Sequence, residues 1–138
     1  GGVVPSIILA LNKMKVSNII LCNRTRKKAD DLKKTFKELE IVDWANIPKN
    51  IDIVINATSL GLKEDDDIKL DYKGISPNKF FYDVIYNPKQ TNFLKKAKLF
   101  GNKTENGKMM FIYQAHQSFA LWNKIIPEID SETIKLLD

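Results

Sequence analysis

Asn18-Ile19-Ile20-Leu21-Cys22-Asn23-Arg24-Thr25-Arg26-Lys27-Lys28-Ala29 is the stretch on which the fold turns. Its first half is a short apolar run of the kind carried by a buried strand. Its second half opens a helix: Ala29, Leu32, Phe36 and Leu39 recur at three- and four-residue steps, predicting helix up to about residue 40. Upstream, Val4, Ile7, Ile8 and Leu11 follow the i, i+3, i+4, i+7 pattern of an amphipathic helix. Pro5 falls in its first turn, where a missing N–H costs nothing. Helix, strand and helix in direct succession begin an α/β chain.

The alternation continues downstream. Ile41-Val42 is a candidate short strand, and Ile51-Asp52-Ile53-Val54-Ile55-Asn56, rich in β-branched residues, is a stronger one. Residues 63–78 are polar, contain Gly74 and Pro77, and read as a long loop. Phe80-Phe81-Tyr82-Asp83-Val84-Ile85 reads as a strand closed by Asn87-Pro88. Thr91 can cap a helix running to Phe100 and stopping at Gly101. A long helix over 108–124 ends before Pro127, and a short one starts at Ser131. Strands separated by helices predict a doubly wound, Rossmann-like α/β domain with a parallel sheet and C-terminal helices, occupying 1–138. That fold begins with a strand and a glycine-rich turn. Nothing precedes Gly1, so the sheet is expected to lack its first strand and the chain to be a fragment.

Composition narrows the possible functions. At 138 residues, 43% hydrophobic and 28% charged, the chain can bury a core as one domain. No apolar run approaches the roughly 20 residues of a membrane span, and no signal-peptide pattern opens the chain. The single cysteine, Cys22, excludes an internal disulfide, fits a reducing, cytoplasmic setting and reads as a buried small hydrophobe. One histidine, His116, without a Cys/His cluster predicts no metal site; it reads as a surface or packing residue. The net charge of +5 raises nucleic acid as a partner. The lysines, however, lie among acids at helical spacing, and no RNA- or DNA-binding motif is present, so no nucleic-acid or membrane partner is expected.

Four stretches carry chemistry. Gly1-Gly2-Val3 at a helix start would aim backbone N–H groups and the helix dipole at a pyrophosphate, although two terminal glycines read equally as a remnant of cloning. The end of the second strand in such folds reads the adenosine ribose, and NAD enzymes place Asp or Glu there. Here Arg24 takes that place, between Asn23 and Thr25, with Lys28 one turn on. A carboxylate would repel a 2′-phosphate, whereas a guanidinium matches its oxygens, so the residues favour NADP over NAD. The plainer alternative is a Thr25 cap followed by solvated bases. Asn56-Ala57-Thr58-Ser59-Leu60-Gly61 leaves a strand where parallel sheets bind ligands, or is an ordinary capped turn. Asp83, inside an apolar strand, must be hydrogen-bonded and is expected to tie down a neighbouring loop, with Tyr86 the better ligand candidate. In the helix from 108, Met110, Tyr113, Gln117 and Leu121 form one stripe and Gln114 and Ser118 another. The Met and aromatic residues there are expected in the core, whereas Gln114 needs a polar partner.

Taken together, these blocks resemble the shikimate dehydrogenase family over essentially the whole chain. Asn-Arg-Thr alone is also similar to glutamyl-tRNA reductases. Tyr82-Asp83-Val84-Ile85-Tyr86-Asn87-Pro88 joined to Gln114-Ala115, Ser118-Phe119 and Trp122 is the specific part. The resemblance implies that Gly1, Gly2 and Val3 finish the pyrophosphate loop. It places Asn23, Arg24, Thr25 and Lys28 around the 2′-phosphate and adenosine, and Thr58 and Ser59 along the cofactor groove. The backbone of Val84 and Gly107 would hold the nicotinamide carboxamide, and Tyr86 and Gln114 would reach shikimate. The implied reaction is reversible, NADP-dependent reduction of 3-dehydroshikimate to shikimate in aromatic amino-acid biosynthesis, by a monomer or homodimer. Its acid–base Lys–Asp pair belongs to a substrate domain with no counterpart here, so no catalytic residue is expected in this chain. Residues 108–138 would pack toward that domain. A quinate/shikimate dehydrogenase paralogue preferring NAD and a non-catalytic nucleotide-binding domain are the alternatives.

Overall fold

In the computed structural model, which describes residues 2–137, helices alternate with short parallel strands, making an α/β, Rossmann-like chain. It divides into two units. One comprises the residues up to Ile51 with Ile68–Ser76, and the other Asp52–Asp67 with the residues from Pro77 onward. No helix among the described residues is long and apolar enough to cross a membrane.

The first unit contains helix α1 (Val4–Lys13), strand β1 (Ile20–Cys22), helix α2 (Arg26–Thr35) and strand β2 (Glu40–Val42). Helix α1 has Pro5 in its first turn and buries Val4 and Ile8, the face its periodicity predicts. Strands β1 and β2 pair in parallel, with Ile20 opposite Glu40 and Cys22 opposite Val42. Helix α2 lies against both strands and buries Ala29 completely, since a methyl lets a helix approach a strand closely. Two expectations change here. Helix α2 stops at Thr35 rather than near residue 40, because Phe36 leaves helical geometry and Leu39 enters the core from the following turn. That turn delivers the Glu40 N–H to the Ile19 carbonyl at 3.0 Å and starts the β1–β2 ladder. Cys22 is half-buried rather than buried. The 68–76 segment, expected as loop, carries a single 3₁₀ turn at Tyr72–Gly74 and buries Ile68, Tyr72 and Ile75.

The second unit is a three-stranded parallel sheet of β3 (Ile53–Asn56), β4 (Phe80–Asp83) and β5 (Lys103–Glu105), in the order β3-β4-β5. Helix α3 (Asn92–Leu99) packs on β4 and β5, burying Phe93, Leu94 and Ala97; the Phe93 ring lies 5.4 Å from that of Phe81. Thr91 caps α3 as expected, its Oγ1 accepting from Leu94 N–H, and Gly101 follows with φ of +75°. Strand β5 is absent from the sequence reading. It is a polar Lys-Thr-Glu segment paired on one side only, so hydrophobic periodicity has nothing to register.

Helix α4 (Lys108–Asn123) ends on Lys124 in the left-handed conformation, and α5 (Ser131–Lys135) is capped by Asp130. His116 is a packing histidine whose Nε2 lies 2.8 Å from the Pro127 carbonyl. The expectation that the Met and aromatic residues of α4 form core fails. Only Ile112 is buried, while Tyr113, Phe119, Leu121 and Trp122 are exposed, Trp122 by 81%. A helix apolar on every side needs partners on every side, and this unit covers one.

Candidate cofactor and substrate site

In the first unit the candidate residues gather where β1 runs into α2. The Asn23 side chain donates to the Thr25 carbonyl at 2.8 Å, which shapes the turn. Thr25 occupies the N-cap position in extended geometry without a side-chain capping bond. The neighbouring cations then sort into two groups. Arg26 bonds Asp30 at 3.3 Å and Asp43 at 2.9 Å. Lys27 bonds Asp31 at 3.2 Å, and Lys34 bonds the same carboxylate at 2.7 Å. Lys34, then Lys27, hold the Asp31 carboxyl below its ordinary range. Among the described residues Arg24 and Lys28 form no ion pair, and both are exposed. A basic run thus leaves two uncompensated cations, four residues apart in sequence, where β1 runs into α2.

Of the glycine element, Gly1 lies outside the described residues. Gly2 is exposed, and a Cβ there would meet nothing within 4 Å, so its neighbours do not demand glycine. Val3 is the N-cap residue of α1 and offers no side-chain cap, which leaves the first-turn N–H groups open to an anion.

In the second unit the ends of β3 and β4 are held together by buried polar groups. Asn56 and Asp83 face each other in the register. Asn56 Nδ2 donates to Asp83 Oδ1 at 3.0 Å and to the Leu60 carbonyl at 2.9 Å. Asn56 Oδ1 accepts from the Thr58 hydroxyl at 2.8 Å and from the Thr58 N–H at 3.0 Å. Thr58 Oγ1 in turn accepts from Leu60 N–H at 3.0 Å, so this hydroxyl shapes the loop, whereas Ser59 is exposed. Gly61 closes the loop at φ of +122°, and a Cβ there would press on the Thr91 methyl. Asp83 is fully buried and ties down its surroundings as expected, accepting from Ile85 N–H at 3.0 Å and from the Thr91 hydroxyl at 2.6 Å. Burial pushes its carboxyl up, and the Thr91, Ile85 and Asn56 hydrogen bonds pull it partly back.

Val84 and Gly107 are brought into contact. Gly107 N–H donates to the Ile85 carbonyl at 3.1 Å, and a Cβ on Gly107 would collide with the Val84 carbonyl. The close approach therefore requires glycine. Asn106 fixes the start of α4, its Oδ1 accepting from Lys108 N–H at 3.0 Å. Tyr86 stacks on Phe111 with ring centroids 4.6 Å apart. Gln114 is exposed on α4 and lines an open groove with Met110, Tyr113, Gln117 and Ser118. Sequence reasoning gave Asn56 and Thr91 other parts, the start of a turn and a helix cap, without their bonds to Asp83, and it passed over Phe111. The first two were recoverable, since an Asp inside an apolar strand demands polar neighbours from the adjacent strand and the following cap.

Parallel strands ending in an anion-ready basic turn in one unit and a glycine-tight turn in the other place the chain in the Rossmann-like class. No protein-family model matches the chain. It is 60% identical over all 138 residues to a shikimate dehydrogenase (NADP(+)) of Pelagibacter ubique, covering 52% of that protein. The structure of shikimate dehydrogenase from Aquifex aeolicus superposes with a TM-score of 0.84 at 32% identity, over 99% of this chain and 50% of that one. Quinate dehydrogenase from Corynebacterium glutamicum, solved with NAD, gives 0.82 at 25% identity, over 99% of this chain and 51% of that one. The chain is similar over its whole length to these shikimate dehydrogenases and spans about half the length of the curated relatives it matches.

Proposed function

We propose that this chain is the NADP(H)-binding portion of a cytoplasmic shikimate dehydrogenase that reversibly reduces 3-dehydroshikimate to shikimate. The observation that carries the cofactor choice is the sorting of charges after β1: Arg26 and Lys27 are matched by acids, while Arg24 and Lys28 are not. A phosphate on the adenosine ribose is the ligand feature that two such cations recognise. Asn23 and Thr25 complete that end, and Gly1, Gly2 and Val3 with the open α1 terminus take the pyrophosphate. In the second unit, Ser59 and the Thr58-shaped loop flank the dinucleotide, and the backbone of Val84 and Gly107 receives the nicotinamide carboxamide. The bare Gly107 Cα, which admits the Val84 carbonyl so closely, fits that role.

When bound, the dinucleotide supplies or accepts the hydride. This chain's residues bind and orient it, and Tyr86 and Gln114 contact the substrate. Tyr86 is steadied by Phe111 for that task. Proton transfer is assigned to a Lys–Asp pair in the substrate domain and to no residue here. The exposed apolar residues of α4, with Ile125 and Ile126, support packing of 108–138 toward that domain.

Titration of the full-length protein with NADP and NAD tests the reading. NADP should bind at least about tenfold more tightly, one charge-assisted contact's worth; equal affinities would favour the NAD-using quinate dehydrogenase alternative. Gln114→Ala should lower kcat/KM for shikimate with cofactor affinity unchanged, and an unaltered kcat/KM would remove it from the substrate site.

A further inference from the structure

Three peptide groups meet at the turn after β4. Val84 N–H donates to the Asn56 carbonyl at 3.0 Å, Ile85 N–H to Asp83 Oδ1 at 3.0 Å, and Gly107 N–H to the Ile85 carbonyl at 3.1 Å. The Val84 carbonyl and the Ile85 N–H belong to one planar trans peptide and point in opposite directions. Whatever fixes the Ile85 N–H therefore fixes the Val84 C=O. Among the described residues no N–H donates to that carbonyl, and it lies directly over the Gly107 Cα. The group that fixes the Ile85 N–H is the Asp83 carboxylate, itself immobilised by Asn56 Nδ2 at 3.0 Å and the Thr91 hydroxyl at 2.6 Å.

We infer that Asp83 is a positioning residue: by accepting the Ile85 N–H it locks the Val84–Ile85 peptide with the Val84 carbonyl presented to the nicotinamide carboxamide. The inference rests on the reading of Val84 and Gly107 as the nicotinamide seat. Rotation of this peptide would turn an N–H to the place where an acceptor is needed and strand the carbonyl in the protein. Buried donors left without a partner oppose that rotation while Asp83 is present. Once the side chain is gone, the donors it served, Asn56 Nδ2 and the Thr91 hydroxyl, no longer oppose a carbonyl turned toward them. Charge is not what the lock uses. A side-chain oxygen at the same place suffices, so an amide serves as well as a carboxylate, with its NH₂ turned to the Thr91 hydroxyl.

The test compares two ligands on the full-length protein. NADPH carries both the nicotinamide and the adenosine bisphosphate, whereas the adenosine bisphosphate piece alone carries only the group assigned to Arg24. Asp83→Ala should weaken NADPH by about tenfold, the cost of losing one well-placed acceptor, and leave the adenosine bisphosphate within about twofold. Asp83→Asn should hold both affinities within about twofold of the parent. Thr91→Val, which removes the hydroxyl but keeps the Ile85 bond, should lower the melting temperature without changing the ratio of the two affinities. Equal weakening of both ligands in Asp83→Ala would show a merely structural role and overturn the inference, as would an unchanged ratio. Asp83→Asn is close to isosteric, so a tenfold loss of NADPH there overturns it even if Asp83→Ala does not fold. If the parent protein binds neither ligand, the cofactor reading itself is what fails.

Discussion

The turn after β1 and the turn after β4 both end a parallel strand. The first is exposed and shaped by an Asn23 bond, and two of its functional candidates, Arg24 and Lys28, are cations without counter-charges. The second is buried, and nearly every polar atom in it is committed to a neighbour, from Asn56 through Asp83 to Thr91. An exposed cation recognises by charge and needs little support, because its partner brings the opposite charge. A backbone carbonyl recognises by direction, and direction in a protein is held by packing and hydrogen bonds. Substitutions after β1 should therefore alter ligand choice and spare stability, whereas those after β4 should alter both.

The largest departure is expected from Gly107→Ala. The added Cβ collides with backbone rather than with a yielding side chain, so NADPH binding should be lost. Overpacking should also cost about 1–3 kcal/mol, read in thermal or denaturant unfolding. Normal melting and binding would break the contrast. Next comes Arg24→Ala, which should weaken NADP by about ten- to a hundredfold, leave NAD nearly unchanged and keep stability within about 0.5 kcal/mol. Equal losses for the two dinucleotides would show that the phosphate lies elsewhere.

A smaller effect separates the two turns by pH. Burial raises the Asp83 carboxyl above its ordinary 3.8 in the folded protein. Its contribution to stability is therefore complete below that ordinary value and is lost as pH rises through the raised one. Asp83→Asn does not titrate. Its melting temperature should gain on the parent's between acid and neutral pH, and parallel curves would contradict the assignment. Lys27→Ala should do least of all, leaving NADP affinity and melting temperature unchanged, because its partner Asp31 keeps Lys34 and both groups are solvated. A loss of NADP affinity there would move the phosphate contact off Arg24.

Much of this was legible in the residues. Apolar periodicity gave α1, β3 and β4, and Thr91 and Gly101 bracketed α3, because these signals act over one turn or one strand. Where long-range contacts decide, the reading failed: Leu39 left the helix for the core, and Lys103–Glu105 became a strand only because β4 offers it an edge. The basic turn was visible as a site, but its division was only half visible. Lys27 and Asp31 are four residues apart, whereas Arg26 reaches Asp43 across seventeen. Asp83 announced that it needed partners; strand register supplied Asn56 and the following helix cap supplied Thr91.

The crowding at position 107 also limits redesign. Of the twenty side chains only hydrogen fits between this Cα and the carbonyl above it, so a saturation library at this codon should return the parental residue alone. Engineers seeking to reshape this turn will find that door shut and must work instead through the half-buried side chain at 84.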